Sequence, residues 1–120
     1  MGYAERHSVT VTTVTATGEG FTPVVNGRVL SIQYVKDDYS DGVDFTITGE
    51  ETGQNLWTDT NVNASETVAP MQDLHTVAGA ATTDPARGPV FIINERISIA
   101  IAQGGNGTSG TFHIIIGGDH

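Results

Sequence analysis

The chain has 120 residues and a formal net charge of -9, with 14 Asp and Glu residues against five Lys and Arg residues. Its length fits one domain, and the lack of cysteine excludes disulfide bonds and thiolate metal sites. The cations stand singly, which argues against DNA or RNA as partners, because nucleic-acid binders cluster Lys and Arg against phosphates.

The first residues do not have the pattern expected of a signal peptide. Residues 1–7 lack the apolar core of a signal peptide, and no run in the chain approaches the roughly 18 apolar residues that a membrane-spanning helix needs. We therefore expect synthesis in the cytoplasm and no membrane partner. Because residues 1–7 also lack periodicity, we predict an irregular N-terminal arm.

The next segments read as strands separated by glycine-containing turns. Residues 8–17 are rich in threonine and alternate apolar with polar side chains, which predicts a strand. The parity of the apolar positions switches near Thr12, which predicts a β-bulge. Residues 18–20 are expected to end this strand, and Asn26-Gly27 predicts a tight turn before the following one.

The middle of the chain carries further short strands. Residues 28–36 and 43–48 alternate at period two, and the acidic residues 37–42 form a loop between them. Shorter strands are predicted at residues 56–58 and 66–68.

Pro and Gly interrupt residues 70–89 without sustained periodicity. We predict a long loop there that could hold one helical turn near residues 72–77.

The last third is the most apolar part of the chain. Strands are predicted at residues 89–93, 97–102 and 111–116, with residues 94–96 separating the first two. The glycine-rich residues 104–110 are expected to join the last two strands as a flexible hairpin loop. Residues 117–120 are predicted to be a C-terminal tail.

These elements predict a single all-β domain over residues 1–120. About eight short strands joined by Gly, Asn and Asp turns are typical of an antiparallel β-sandwich or a jelly-roll-like small barrel. A parallel sheet would need crossover helices, and the sequence carries almost no helix signal. The predicted core consists of Leu30, Ile32, Tyr34, Phe45, Ile47, Ile97, Ile99, Ile101, Phe112 and Ile114.

The acidic segment with Asp37, Asp38, Asp41 and Asp44 is the nearest approach to a metal site. Calcium prefers several oxygen ligands on one loop, but the helix-loop-helix calcium pattern fails because Thr48 stands where Glu is required. We expect a solvated loop without bound calcium, with an irregular calcium site as the alternative.

No other pattern predicts catalysis or a cofactor. Gly105, Gly107 and Gly110 match the spacing of a dinucleotide-binding loop, but a strand follows them where that motif needs a helix. Ser109 does not lie in a nucleophile elbow. The four histidines lack metal-site spacing, and His113 is expected in solvent or at an interface. We predict a non-enzymatic protein with no catalytic, cofactor-binding or metal-binding residues.

Four segments carry a resemblance to a known class of proteins. Residues 27–35, 43–50, 94–105 and 110–118, in this order and spacing, resemble small β-rich proteins encoded among the head genes of tailed bacteriophages, which include capsid decoration or cement proteins. The resemblance rests on these segments together and contains no mechanistic motif.

The resemblance implies a structural protein that binds the capsid exterior of a virion and stabilises the shell. The implied partners are the major capsid protein and copies of the chain itself, as a dimer or trimer. The alternatives are a neck, tail or fibre component of the same particle and, from another class, a carbohydrate-binding β-sandwich module or a small hydrolase. Trp57, Tyr34 and Tyr39 are the aromatic residues suited to stacking on a sugar.

The expected docking elements are the parts of the chain that carry little of this resemblance, residues 1–26 and 71–88. Within them, residues 1–7 and 71–88 lack periodicity and bury little surface by themselves. Such segments commonly become ordered against a partner. We therefore expect many modest contacts that act together through multivalency.

Overall fold

The computed structural model describes residues 3–73 and 87–118, which form β-strands and no helix. Within these residues no helix is long and apolar enough to cross a membrane. The strands are β1 (Tyr3–Thr12), β2 (Gly18–Phe21), β3 (Val25–Lys36), β4 (Val43–Gly49), β5 (Asn55–Val62), β6 (Glu66–Val68), β7 (Met71–Asp73), β8 (Arg87–Pro89), β9 (Phe91–Glu95), β10 (Ile97–Ala102) and β11 (Ser109–Gly118).

Two antiparallel sheets pack against each other. The five-stranded sheet has the order β1-β11-β3, and β6 and β9 both pair with the remaining edge of β3. The four-stranded sheet has the order β2-β10-β4-β5, and β7 pairs separately with β8. The predicted all-β class is confirmed, and the packing of two antiparallel sheets is that of a β-sandwich.

The core lies between the sheets and follows the period-two pattern of the sequence. In β4, Val43, Phe45 and Ile47 are buried and alternate with residues that reach solvent. The same holds for Ile97, Ile99 and Ile101 in β10. Nine of the ten predicted core residues are buried.

Leu30 is the exception, because it is 38% exposed. The register between β11 and β3 shifts by one residue at this point, so Leu30 has no partner and forms a β-bulge. Burial in β3 therefore changes parity, from Val29 before the bulge to Ile32 after it. Leu30 lies on the outer face of the five-stranded sheet, against Gly117.

The N-terminal arm predicted for residues 1–7 is replaced, over the described residues 3–7, by the first half of β1. These residues pair with the end of β11, from Tyr3 opposite Gly118 to His7 opposite Ile114. The prediction failed because residues 3–7 form a strand through their hydrogen bonds to β11, although their own sequence has no apolar periodicity.

The predicted strand over residues 8–17 ends early, at Thr12. The parity switch marks a tight turn and not a bulge: Val14 and Thr17 form an isolated bridge, and Thr15 and Ala16 between them have φ angles of 53° and 77°. Left-handed backbone is uncommon for residues other than glycine. Contacts from the 104–110 loop hold it here, because Asn106 Oδ1 accepts a hydrogen bond from Thr15 N at 3.0 Å.

Two further turn predictions were wrong. Residues 18–20 do not end a strand but belong to β2, which pairs with β10. Asn26-Gly27 is not a turn, because β3 runs through it from Val25 with an irregularity in its pairing to β9. Gly27 has a φ of 141°, and a Cβ atom there would lie 2.4 Å from the Gly117 carbonyl oxygen. The glycine therefore serves a close approach between strands.

The predicted hairpin over residues 104–110 is also wrong, because β10 and β11 lie in different sheets. The loop crosses from one sheet to the other at an end of the sandwich and packs against the β1–β2 turn. Thr13 is buried there, and its Oγ1 accepts a hydrogen bond from Thr108 N at 3.2 Å, while Thr13 N donates to Thr108 O at 2.8 Å. Side-chain hydrogen bonds fix the position of this glycine-rich segment.

The ends of the predicted loop over residues 70–89 form strands. Met71 pairs with Pro89 and Asp73 with Arg87, and the residues between, 74–86, lie outside the described residues. The predicted helical turn is therefore replaced by strand at its start, and its later part falls outside the description. In the predicted tail, Gly117 and Gly118 belong to β11, and residues 119 and 120 lie outside the described residues.

Candidate interaction surface

The four aspartates of the acidic segment each bind a different partner. Asp37 Oδ2 accepts a hydrogen bond from Thr111 Oγ1 at 3.1 Å, and Asp38 Oδ1 accepts one from Ser109 N at 2.6 Å. Asp41 forms an ion pair with Lys36. Asp44 accepts from Asn61 N at 2.9 Å and from Gln103 Nε2 at 3.1 Å. Over residues 3–73 and 87–118, no group of three or more His, Cys, Asp or Glu residues could hold a metal ion.

Among the described residues, the two histidines and Ser109 lie apart from one another. His113 lies on the outer face of β11, half-buried, with its Nδ1 atom 2.7 Å from Ser8 Oγ on β1. His7 lies on the other face of β1, with its Nε2 atom 3.4 Å from a Glu5 carboxylate oxygen. Ser109 contacts Asp38 at the start of β11. His75 and His120 lie outside the described residues.

Of the aromatic residues considered for sugar stacking, Tyr34 and Tyr39 belong to the core, and Trp57 is partly buried against it. Tyr34 lies 5.2 Å from Phe45 between ring centroids, and Trp57 meets Phe45 edge-on at 4.7 Å. Tyr39 stacks on Tyr34 at 6.2 Å. Burial, with a smaller contribution from Asp37, raises the pKa of Tyr34 to about 12, so its hydroxyl stays neutral. The buried tyrosines present no ring to a ligand.

Glu95 is a buried carboxylate that the sequence interpretation placed in a connection between strands. It is 4% exposed and ends β9, where Oε1 accepts hydrogen bonds from Glu51 N at 2.8 Å and Thr52 N at 3.0 Å. Oε2 accepts from Thr52 Oγ1 at 2.9 Å. Burial by itself would raise the pKa of Glu95, but these hydrogen bonds more than offset it, and the pKa lies below its usual 4.5. Glu95 therefore fastens the β4–β5 turn to β9.

Arg96 forms a second connection to the same turn. Its Nε atom donates to Glu50 Oε1 at 2.7 Å, its Nη2 atom donates to Glu50 Oε2, and its guanidinium lies 4.2 Å from the ring centroid of Phe21. No sequence signal predicts either connection, because the partners are more than 40 residues apart in the chain.

A further surface is the outer face of the five-stranded sheet, which points away from the four-stranded sheet. Pairing places Arg6 opposite Ile115, and Gly117 opposite Arg28, which in turn lies opposite Phe91. Their neighbours along the strands, such as Phe112, Ile114 and Ile92, are buried in the core. Alternation thus directs Arg6, Arg28, Phe91 and Ile115 outward.

Apolar side chains gather on one half of this outer face. Phe91 is 47% exposed and Ile93 is 65% exposed. On the adjacent strands, the Leu30 side chain lies against Gly117, and Ile115, two residues before Gly117, is half-buried. Gly117 and Phe91 lie on either side of Arg28, on strands β11 and β9. Because neighbouring strands are about 4.8 Å apart, the two residues are separated by about 10 Å. The four apolar side chains therefore form one patch.

Two arginine side chains lie on the same outer face. Arg6 and Arg28 lie beside the apolar side chains. Among the described side chains, none of the outward-facing residues paired with them across β1, β11, β3 and β9 is a carboxylate. Asp37 reaches only the opposite end, at Thr111, six residues along β11 from Gly117 or about 20 Å away. This half of the outer face therefore carries exposed apolar side chains beside the exposed side chain of Arg6.

Comparison with known proteins gives no assignment: no protein-family model and no curated protein sequence matches the chain.

Proposed function

We propose that the protein is a non-enzymatic structural component of a bacteriophage particle, which binds the outside of the capsid and stabilises the shell. The observation that supports the proposal best is the apolar patch of Leu30, Phe91, Ile93 and Ile115 on the outer face. Exposed apolar patches rimmed by polar residues mark sites of protein–protein interaction. The resemblance of the sequence to decoration proteins supplies the nature of the partner, the major capsid protein.

The construction of the domain suits this role. A decoration protein needs a scaffold that keeps its shape and a surface that adheres, without chemistry. The sandwich is built from antiparallel ladders, and the connections at its ends are fixed by Thr13, Tyr39 and Glu95. The docking surface is therefore presented on a preorganised sheet, which lowers the entropic cost of binding.

The strand pairing of residues 3–7 changes how docking has to be tested. Deleting these residues would remove half of the β1–β11 ladder, so lost binding would not distinguish a contact from misfolding. The informative variant is Ile93→Ser, because Ile93 is largely exposed and its loss leaves the core intact. Val14→Ser is the matched control: Val14 is 73% exposed but lies at the opposite end of the sandwich, in the β1–β2 turn.

The test is binding of the purified protein to capsid shells assembled without it, measured by co-sedimentation. We expect the wild type and Val14→Ser to saturate the shell at many copies and to raise its melting temperature. Ile93→Ser should bind at least about tenfold more weakly, the loss of about 1.4 kcal/mol expected for an apolar contact in an interface. Absence of wild-type binding, or binding confined to a single vertex, contradicts the proposal; the second result assigns the protein to the neck or tail.

A further inference from the structure

The open edge of β1 carries an inference about how copies of the chain associate. β1 lies at the end of the five-stranded sheet, and among the described strands of this sheet it pairs with β11 alone. That pairing runs over ten residues without irregularity. An unpaired strand edge exposes a row of backbone N–H and C=O groups, which can pair with a strand of another chain.

The other edge strands of the described sheets are short or irregular. β2, β6, β7 and β8 have only three or four residues each. β5 and β9 are longer, but their pairing with β4 and β3 shifts in register, and Asn61 in β5 has a φ of 54°. Short strands, bulges, proline and lysine commonly keep sheet edges from pairing with other chains. β1 has none of these, so it is the one long, regular edge among the described strands.

Hydrogen bonds at the start of β11 show which backbone groups of β1 point to the open edge. Thr13 N donates to Thr108 O at 2.8 Å, across the β1–β11 ladder, whereas Ser109 O accepts from Asp38 N at 3.1 Å, on the side of β3. Because this direction alternates along an antiparallel pair, odd-numbered residues of β1 bond to β11 and even-numbered residues point away from it. The residues at the open edge are Ala4, Arg6, Ser8 and Thr10.

We propose that β1 pairs antiparallel with β1 of a second copy around a two-fold axis at His7, so that the two five-stranded sheets become one continuous sheet. Such an axis is perpendicular to the sheet, and the numbers of paired residues have a constant sum. Ala4 then lies opposite Thr10 of the second copy, and Arg6 lies opposite Ser8. All four edge residues gain a partner, and with histidine neutral no like charges stand directly opposite each other.

Neighbouring registers fit less well. Centring the axis on Arg6 would place two arginines directly opposite each other, which is destabilising. Centring it on Ser8 would require Thr12 to pair with Ala4. That part of the edge is closed by β2, because a Cβ atom on Gly18 would lie 2.9 Å from the Thr12 carbonyl oxygen. The register at His7 therefore uses the whole open edge.

The pairing has a consequence for docking. A two-fold axis perpendicular to a sheet leaves both of its faces in place, so the outer faces of the two copies point to the same side. The two apolar patches would then contact one shell at two points, and a bivalent contact raises the overall affinity without a new kind of contact. This consequence rests on the proposed function, whereas the dimer rests on strand geometry alone.

Sedimentation velocity from micromolar to millimolar concentration, at pH 8, tests the dimer. Physiological and high NaCl concentrations are compared, because salt screens the repulsion between two copies of net charge -9. Ser8→Pro removes an N–H group that points to the open edge and leaves the bonds to β11 in place. Ser8→Ala is the matched control, because it keeps this N–H group but also loses the hydroxyl that contacts His113. Circular dichroism and thermal melting show whether each variant is folded.

Two charge variants test the register. Ser8→Glu places a carboxylate opposite Arg6 of the second copy, and Ser8→Lys places a like charge there, in each case twice per dimer. Thr10→Glu and Thr10→Lys are the controls, because Thr10 lies opposite the uncharged Ala4. An added glutamate also makes each acidic copy more negative, so the overall charge acts against the order of affinities that the register predicts.

We expect the wild type and Ser8→Ala to form a dimer and no larger species, with tighter association at high salt. Ser8→Pro should dimerise at least about tenfold more weakly, because edge hydrogen bonds are lost and the proline ring meets the second strand. At physiological salt Ser8→Glu should dimerise about tenfold more tightly than Ser8→Lys, with a smaller difference between the Thr10 variants.

A wild type that stays monomeric at millimolar concentration would overturn the inference. A folded Ser8→Pro that dimerises like Ser8→Ala would also overturn it, and so would a Ser8→Glu variant that dimerises more weakly than Ser8→Lys, the comparison that decides if Ser8→Pro does not fold. A monomeric wild type whose binding to shells is abolished by Ser8→Pro would assign the edge to a strand of the shell protein, which overturns the inference and leaves the proposed function intact. A dimer that does not bind shells would support the inference and remove the proposed function.

Discussion

Removal of the Glu95 carboxylate should destabilise the protein strongly. Glu95→Ala deletes three hydrogen bonds to a buried charge, from Glu51 N, Thr52 N and Thr52 Oγ1. Hydrogen bonds to charged groups contribute about 1.5–3 kcal/mol each, but water can solvate the exposed turn after truncation and recover part of this. We expect a loss of about 3 kcal/mol, or about 10 °C in melting temperature for a domain of this size.

The pH dependence gives a second measurement on the same residue. Because the folded pKa of Glu95 lies below 4.5, the unfolded chain binds more protons between the two pKa values, and stability rises with pH in that window. The contribution is complete above pH 4.5 and is lost as pH falls through the folded pKa. Glu95→Gln should therefore be destabilised most at neutral pH and should approach the wild type in acid.

Urea unfolding from pH 3 to pH 7 measures both effects. Glu51→Gln is the control, because it changes the charge by the same amount on the neighbouring exposed side chain of the turn. A Glu95→Ala variant within about 1 kcal/mol of the wild type would refute the assigned role, since that is below the value of a single charged hydrogen bond. A difference between Glu95→Gln and the wild type that does not shrink in acid would also refute it.

Three further predictions concern the core and its edge. Leu30→Ala should cost less than about 1 kcal/mol because the bulge places Leu30 on the surface, whereas Ile32→Ala, fully buried, should cost about 2–5 kcal/mol in urea unfolding; equal losses would contradict the bulge. Tyr39→Phe removes a hydroxyl that donates to Val11 O at 2.5 Å and should cost about 1 kcal/mol. Tyr34→Phe should be neutral or stabilising in thermal melting, because the buried Tyr34 hydroxyl has no hydrogen-bond partner among the described residues, and a clear loss would show that it has one.

Alternation along single strands was enough to predict much of the fold. The apolar residues of β4 and β10 alternate with polar or small ones, and every one of them is buried. This information is local, because successive side chains of a strand point to opposite faces whatever its neighbours are. The absence of helix in the described residues was predictable for the same reason, since a period of two does not place apolar side chains on one face of a helix.

Features that depend on pairing between distant segments could not be predicted. One extra residue at Leu30 reverses the parity of half of β3, and that residue is extra only with respect to its partner strand β11. The glycine-rich residues 104–110 suggested a hairpin because the strands on either side are similar, yet those strands entered different sheets. In the sequence, Glu95 looks like an ordinary residue of a polar connection, and its buried role follows only from its contact with the β4–β5 turn.

The candidate surface shows the same division. The sequence by itself determined that the chain is acidic and rich in strands, because composition and alternation need no partner. Only the tertiary structure decided that Leu30, Phe91 and Ile93 face outward together and that Arg6 lies on the same face of the sheet. These residues are brought together by β1, β3, β9 and β11, which are far apart in the chain. Their juxtaposition follows from strand order and register, which long-range pairing sets and local sequence does not specify.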